Sequence, residues 1–278
     1  MITNLIFFLY GIKVDYIRQK DNEYIFFFDN NFYIFKECFE TEEKIVFLDR
    51  YIVRSIYFHV FIRNRYSNFL SSFNNRFYVL MKVIIKTNRL LLLDDILKCN
   101  FTLSTINNRN LEWVELWKKK VDQVELYINK VNFSIYNLSI INYYLNLSDL
   151  SINYFNEHVN QSIFPISLCH RRVDTDLDLY GYFSAVGVVF DHYMRDVAEF
   201  IKNDIYSDKL IDINKYKVLK GNNDIHLLIS RLLFPTYFFD VFDDYILNNK
   251  NFNDFYNHFS NLELFERNLF VVIDFLQK

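Results

Sequence analysis

Three polar residues in the second half of the chain have the types and the order that a phosphoryl-transfer site needs. His170 follows a short apolar lead-in, and Asp191 ends the apolar run 186–190. Asp196 comes directly after Arg195, at the start of a helix-like segment. A loop with a histidine, a buried strand that ends in an aspartate, and an Arg-Asp helix start are successive parts of such sites. The order therefore predicts phosphoryl chemistry around these side chains.

The same loop carries Arg172 at the position where a proton acceptor is needed. A guanidinium keeps its proton at any usable pH, so Arg172 cannot accept the proton of a substrate hydroxyl. Losing a general base typically costs a rate factor of about 10²–10⁴. Asp174, Asp176 and Asp178 follow closely and are the alternative acceptors.

Composition and charge exclude several classes of protein. The 278 residues carry a net charge of −3, with basic and acidic residues interspersed, so we expect no nucleic-acid partner. Three widely separated cysteines predict neither a disulfide framework nor a zinc site, which suits a reducing cytoplasm. The apolar run at residues 5–10 is too short to span a bilayer. We therefore expect a soluble cytoplasmic protein with no membrane partner.

The hydrophobic pattern changes from strand-like to helical near residue 88, which predicts two parts, 1–88 and 89–278. Aromatic and β-branched runs on both sides of Asp29-Asn30-Asn31 predict a β-hairpin in the first part, followed by a helix and further strands. The second part has apolar residues at helical spacing, most clearly in the helix predicted over 111–130. Pro235 interrupts another apolar helix, predicted over 224–242. A small β-rich part and a larger helical part make the fold class α+β.

With these patterns in place, the sequence resembles the kinase-like proteins of the aminoglycoside and choline phosphotransferase superfamily, especially their spore-coat branch in low-GC Gram-positive bacteria. The resemblance implies a bilobal protein-kinase-like fold, with a small β-rich N-terminal lobe and a larger helical C-terminal lobe. It depends on motifs spread over most of the chain, each weakly specific alone. They are Trp113-x3-Trp117, Leu168-Cys169-His170, Phe190-Asp191-His192, the run 195–200 and the run 231–240.

By position, the resemblance implies a role for each loop residue. His170 is the structural histidine of the loop, Arg172 replaces the catalytic aspartate, and Asp191 is the magnesium ligand. Asp196 braces the loop from the following helix. The family's second metal ligand, an asparagine, falls on Leu177, which is apolar.

Arg172 offers a substitute for the missing metal in this scheme. Its guanidinium could pair with Asp191 or Asp196 and put a fixed positive charge in place of the ion. We then expect Arg172→Ala to destabilise the fold.

In the first lobe the resemblance implies a nucleotide-binding pair. Lys36 takes the place of the lysine that binds the phosphates, and Glu43 or Glu42 on the next helix is its partner. Gly11 is the one glycine in the first 180 residues, so the sequence has no glycine-rich loop to cover a triphosphate.

Two hypotheses follow. The favoured one is a pseudokinase, a kinase-shaped protein without catalytic activity that binds an unknown protein or small-molecule ligand, with a spore-coat link that depends on the resemblance. The alternative is a divergent phosphotransferase that uses ATP and magnesium to modify a hydroxyl group, with Asp174, Asp176 or Asp178 as its base. The missing base, second metal ligand and glycine-rich loop favour the first.

Overall fold

The computed structural model describes residues 2–20, 22–85, 87, 89–99, 111–160, 163–173 and 178–278. The chain divides into two compact units. The first contains Met1–Leu92 and Asp176–Phe190, and the second contains Leu93–Thr175 and Asp191–Lys278. The lobe boundary near residue 88 stays a prediction.

The first unit is built on one antiparallel sheet with strand order β1-β2-β3-β6-β4, in which β5 also pairs with β6. Its strands are β1 (Ile17–Lys20), β2 (Glu23–Phe28), β3 (Asn31–Glu37), β4 (Val60–Ile62), β5 (Leu70–Phe73) and β6 (Arg76–Lys82). Its helices are α1 (Ile2–Tyr10), α2 (Glu42–Ile52) and α6 (Leu179–Tyr182). Strand β8 (Val188–Asp191) follows α6 in the chain.

The predicted hairpin is confirmed as β2 and β3, joined by Asp29 and Asn30. Both residues have positive φ, 46° and 58°, which is the backbone of a two-residue turn whose twist matches the strands. Strand β5 lies within the largely polar segment 63–75. Its short length and mixed burial hide the alternation by which a strand is recognised.

The core of the first unit forms between α1 and the sheet. Ile6, Phe35 and Leu80 are fully buried there, and the rings of Phe35 and Tyr78 stack with their centroids 4.9 Å apart. The apolar N-terminal run is therefore a helix, and its buried side packs on this core.

Helix α2 begins directly after its cap residue, Thr41. The Thr41 side chain accepts a hydrogen bond from the Lys44 amide at 3.3 Å, which caps the first turn. Ile45, Leu48 and Ile52 are buried along one face.

The second unit is helical. Its elements are α3 (Leu93–Lys98), α4 (Trp113–Ile128), α5 (Ile135–His158), β7 (Ser167–His170), α7 (Met194–Ile205), α8 (Ile225–Leu233), α9 (Thr236–Leu247) and α10 (Leu262–Gln277), with 3-10 helices Ile213–Leu219 and Phe252–Phe259. With the antiparallel sheet of the first unit, this confirms the α+β class.

The predicted apolar face of α4 is buried, including Trp113 and Trp117. Pro235 separates α8 from α9, as its missing amide predicts. By length and composition, Ile225–Leu247 is one candidate membrane span among the described residues. Because most of this stretch is buried inside the protein, we interpret it as the two core helices α8 and α9.

Candidate functional site

Asp191 ends β8, and donors from the protein itself surround its carboxylate. The Trp113 indole Nε1 donates to Oδ1 at 2.9 Å and lies 3.2 Å from Oδ2. The His192 amide donates to Oδ1 at 2.8 Å, and Arg195 donates to Oδ2 at 2.9 Å. Both carboxylate oxygens therefore have hydrogen bonds in a buried site.

Arg195 lies four residues after Asp191, in the first turn of α7, and its guanidinium donates to three partners. Its Nε donates to the His170 carbonyl at 3.0 Å, and Nη2 donates to the Arg171 carbonyl at 3.3 Å. Burial alone would lower the pKa of Arg195, but the charge and hydrogen bond of Asp191 outweigh it and raise that pKa. The guanidinium is thus a fixed cation beside the carboxylate.

These contacts do not fit a magnesium ion at Asp191. Magnesium needs carboxylate oxygens with lone pairs directed at the ion and a nearly octahedral shell of oxygens. Here an indole, an amide and a guanidinium point at the carboxylate. In the parts of the chain that the structure describes, no group of three or more His, Cys, Asp or Glu side chains is placed to hold a metal. The role of Asp191 as a metal ligand stays a prediction, and its contacts argue against it.

His170 and Asp196 form a buried pair, here called the bracing pair. Asp196 Oδ1 accepts from the His170 amide at 2.9 Å, and Oδ2 lies 2.8 Å from His170 Nδ1. The two side chains are 7% and 3% exposed. Such contacts suit the structural role predicted for His170, because they fix both the backbone and the ring of the loop residue.

Arg172 does not pair with Asp191 or Asp196, and this expectation was wrong. Its Nη1 donates to Glu199 at 3.4 Å, and its Nη2 is bonded to Asp240. The Arg172 side chain is 47% exposed. The interpretation failed because Arg195, in the first turn of α7, takes that position beside Asp191.

Sequence reasoning missed a group of buried charges behind the loop. Lys202 Nζ donates to the Phe234 carbonyl at 2.7 Å and to the Thr236 hydroxyl at 2.9 Å. Burial lowers the pKa of Lys202 to about 7, although Glu199 opposes the shift. Burial would raise the pKa of Glu199, but Lys202, Arg231 and Arg172 together lower it. The sequence shows that Glu199 and Lys202 are three residues apart in a helix, but it does not show that both side chains are buried.

The predicted nucleotide-binding residues lie in the first unit. Lys36 is ion-paired with Glu23, its cross-strand partner on β2. Glu42 accepts hydrogen bonds from the Phe69 and Leu70 amides, both at 2.8 Å. Glu43 is exposed, and neither it nor Glu42 pairs with Lys36 among the described contacts. Their roles in binding a nucleotide stay predictions.

Two of the alternative bases, Asp174 and Asp176, lie outside the described residues, as does Leu177. Asp178 caps α6, accepting from the Gly181 amide at 2.7 Å, and lies 3.8 Å from Lys20. These contacts show that Asp178 stabilises the start of α6.

Comparison with known proteins identifies both relatives and a shared fold. The model of a family described as spore coat putative kinase YutH matches residues 3–264. The endospore coat-associated protein YutH of Bacillus subtilis (strain 168) is 26% identical over 164 residues, covering 50% of this chain and 48% of that protein. The chain therefore matches about half the length of this curated relative.

Solved structures of phosphotransferases share the fold. Spectinomycin phosphotransferase APH(9)-Ia in its AMP-bound complex has a TM-score of 0.57 at 12% identity, covering 98% of this chain and 96% of that one. An aminoglycoside phosphotransferase from Alicyclobacillus acidocaldarius has a TM-score of 0.62 at 8% identity, covering 96% and 93%. At such identities the likeness shows the fold alone, and it confirms the kinase-like fold.

Proposed function

The chain belongs to the spore coat putative kinase YutH family, and from that premise we propose that it is a pseudokinase, which keeps the kinase-like fold but transfers no phosphoryl group. It acts instead as a binding or scaffold protein. Its partner is a protein or small-molecule ligand of the spore coat, and the chain is made in the cytoplasm.

The contacts of Asp191 carry this proposal. A phosphotransferase needs the corresponding carboxylate to hold magnesium against the phosphates. Here Arg195 Nη1 lies 2.9 Å from Oδ2, and the Trp113 indole donates to the other oxygen at 2.9 Å. A metal could bind only after the guanidinium left, which would leave a partly buried cation without its charged partner.

The position of the base supports the same conclusion. Arg172 cannot accept a proton, and its guanidinium is bound to Glu199 and Asp240. The loop therefore lacks its expected proton acceptor, and protein donors engage Asp191, so both the base and the metal of phosphoryl transfer are affected.

The relative's printed name supports the link to the coat. That protein is described as associated with the endospore coat of Bacillus subtilis. The net charge of −3 gives no basic footprint for nucleic acid, so a protein or a small molecule remains the proposed partner.

The proposal is tested by measuring ADP release from Mg-ATP with the full chain, in the presence and absence of hydroxylated acceptors. We expect the wild type to release ADP no faster than Asp191→Asn, which keeps the side-chain size and removes the charge. Wild-type release that Asp191→Asn abolishes would contradict the proposal. Loss of that release in Asp174→Asn or Asp176→Asn would then support the divergent phosphotransferase.

A further inference from the structure

Two of the exposed histidines lie beside each other in the helical unit. The chain has six histidines, and His59, His170 and His192 are buried. The remaining three are exposed. Two of these, His158 and His226, have ring centroids 5.3 Å apart, with their planes tilted by 59°. At this distance the two rings are close enough to share one small ligand.

Tyr154 orients the ring of His158. The two residues are one turn apart on α5, and their rings stack with centroids 4.2 Å apart and an angle of 22°. His158 is the last residue of that helix. The stacked tyrosine restricts the rotation of a side chain that would otherwise move freely in solvent.

The same tyrosine holds His226, in the first turn of α8. Its hydroxyl lies 2.9 Å from His226 Nδ1, and Gln277 Nε2 donates to it at 3.5 Å. When Nδ1–H donates to the tyrosine oxygen, Nε2 keeps its lone pair for a ligand. Histidines that bind metals usually have their other nitrogen hydrogen-bonded in this way, which fixes the tautomer and the direction of the ring.

The separation of the rings suits one metal ion. An ion bound by two imidazole nitrogens at ~2.0–2.1 Å with a tetrahedral angle places the ring centres roughly 5 Å apart. Imidazole selects zinc, nickel and copper, whereas magnesium and calcium prefer oxygen ligands. We propose that His158 and His226 bind one divalent first-row transition ion of the zinc, nickel or copper type, with Tyr154 as their positioning residue.

The remaining coordination positions belong to water or to a side chain of a binding partner. Among the described residues, no group of three His, Cys, Asp or Glu side chains is placed to hold a metal, so the protein supplies two imidazoles here. A site with open positions can accept a further ligand. This inference does not depend on the proposed pseudokinase function.

The test uses the full chain without a polyhistidine tag, titrated with Zn²⁺ and, separately, Ni²⁺ by calorimetry. We expect one ion per chain, and at least tenfold weaker binding in His158→Gln and in His226→Gln. His258→Gln is the matched control, because it removes the third exposed histidine and should bind as the wild type does. Tyr154→Phe keeps the stacked ring and removes the hydroxyl, and we expect about 10–100-fold weaker binding.

Equal unfolding midpoints of the variants in metal-free buffer will show that their folds are intact. Wild-type affinity in His226→Gln or His158→Gln would overturn the proposed site. Wild-type affinity in Tyr154→Phe would overturn the positioning role and reduce the pair to adventitious surface binding.

Discussion

Two aspartates five positions apart, Asp191 and Asp196, have opposite environments within one unit. Asp196 belongs to the bracing pair and accepts two hydrogen bonds from His170, at 2.9 and 2.8 Å. Asp191 accepts hydrogen bonds from Trp113 and Arg195. These three residues are here called the neutralising cluster. The first arrangement shapes the loop, and the second places a protein cation at the aspartate predicted to bind metal.

The difference shows that the contacts that shape the loop are separate from those that engage Asp191. A brace contributes to folding whether or not a substrate binds, because it satisfies buried polar groups. A metal-binding carboxylate without metal is a buried charge, which is costly unless it is paired. Arg195 supplies that pairing within the chain.

The largest expected effect is on the bracing pair. Asp196→Ala leaves the His170 amide and ring without this acceptor inside the protein, and we expect a loss of about 3–5 kcal/mol in the free energy of unfolding. Urea unfolding monitored by tryptophan fluorescence measures it. Asp196→Asn, which keeps one acceptor oxygen, should lose less. A loss below ~1 kcal/mol in Asp196→Ala would show that the pair does not brace the loop.

The neutralising cluster should respond with a smaller loss. Asp191→Ala removes the acceptor of the Trp113 indole and the partner of Arg195, and we expect a loss of about 2–3 kcal/mol. Trp113→Phe keeps a buried ring but removes the donor to Asp191. We expect the lost hydrogen bond to lower the free energy of unfolding by about 1 kcal/mol, in addition to the effect of the smaller ring. The same urea experiment measures both variants. If Asp191→Ala is as stable as the wild type, Arg195 and Trp113 do not depend on the carboxylate.

Stability should also depend on pH through Lys202. The pKa of this buried ammonium is about 7 in the folded chain, and 10.5 is its ordinary value. Between these pH values the unfolded chain holds a proton that the folded chain lacks, so the free energy of unfolding rises with pH. We expect a contribution of up to ~1 kcal/mol per pH unit between pH 7 and 9, measured by urea unfolding. Lys202→Met should flatten this rise, and an unchanged slope would contradict the assignment.

Arg172 should matter least. Its side chain is 47% exposed, and Asp240, its closest acidic partner, is 41% exposed. Exposed ion pairs contribute little to stability, so we expect Arg172→Ala to lower the free energy of unfolding by less than ~1 kcal/mol. A buried pair with Asp191 or Asp196 would have given a larger loss. A loss as large as that of Asp191→Ala would make Arg172 part of the buried structure after all.

Much of the fold could be predicted because its signals are local. The hairpin turn at Asp29 and Asn30 and the apolar face of α4 are both visible within short windows of sequence. The order of His170, Asp191 and Asp196 likewise pointed to the kinase-like family, and that resemblance is confirmed.

The partners within the site could not be predicted, because they come from distant parts of the chain. Trp113 is 78 positions from Asp191, and Arg172 is 68 positions from Asp240. Spacing gives no reason to choose these pairs among 31 basic and 34 acidic residues. Lys36 is a different case: its partner Glu23 lies opposite it on the adjacent strand of the hairpin, whereas the resemblance implied a partner on the next helix.

The central claim is that Asp191 is occupied by protein donors and holds no magnesium nucleotide. It is tested most directly by the thermal unfolding midpoint of the full chain with and without Mg-ATP, since a ligand that binds the native state must raise it. We expect no shift in the wild type or in Asp191→Asn. A rise of several degrees in the wild type that is lost in Asp191→Asn would contradict the claim.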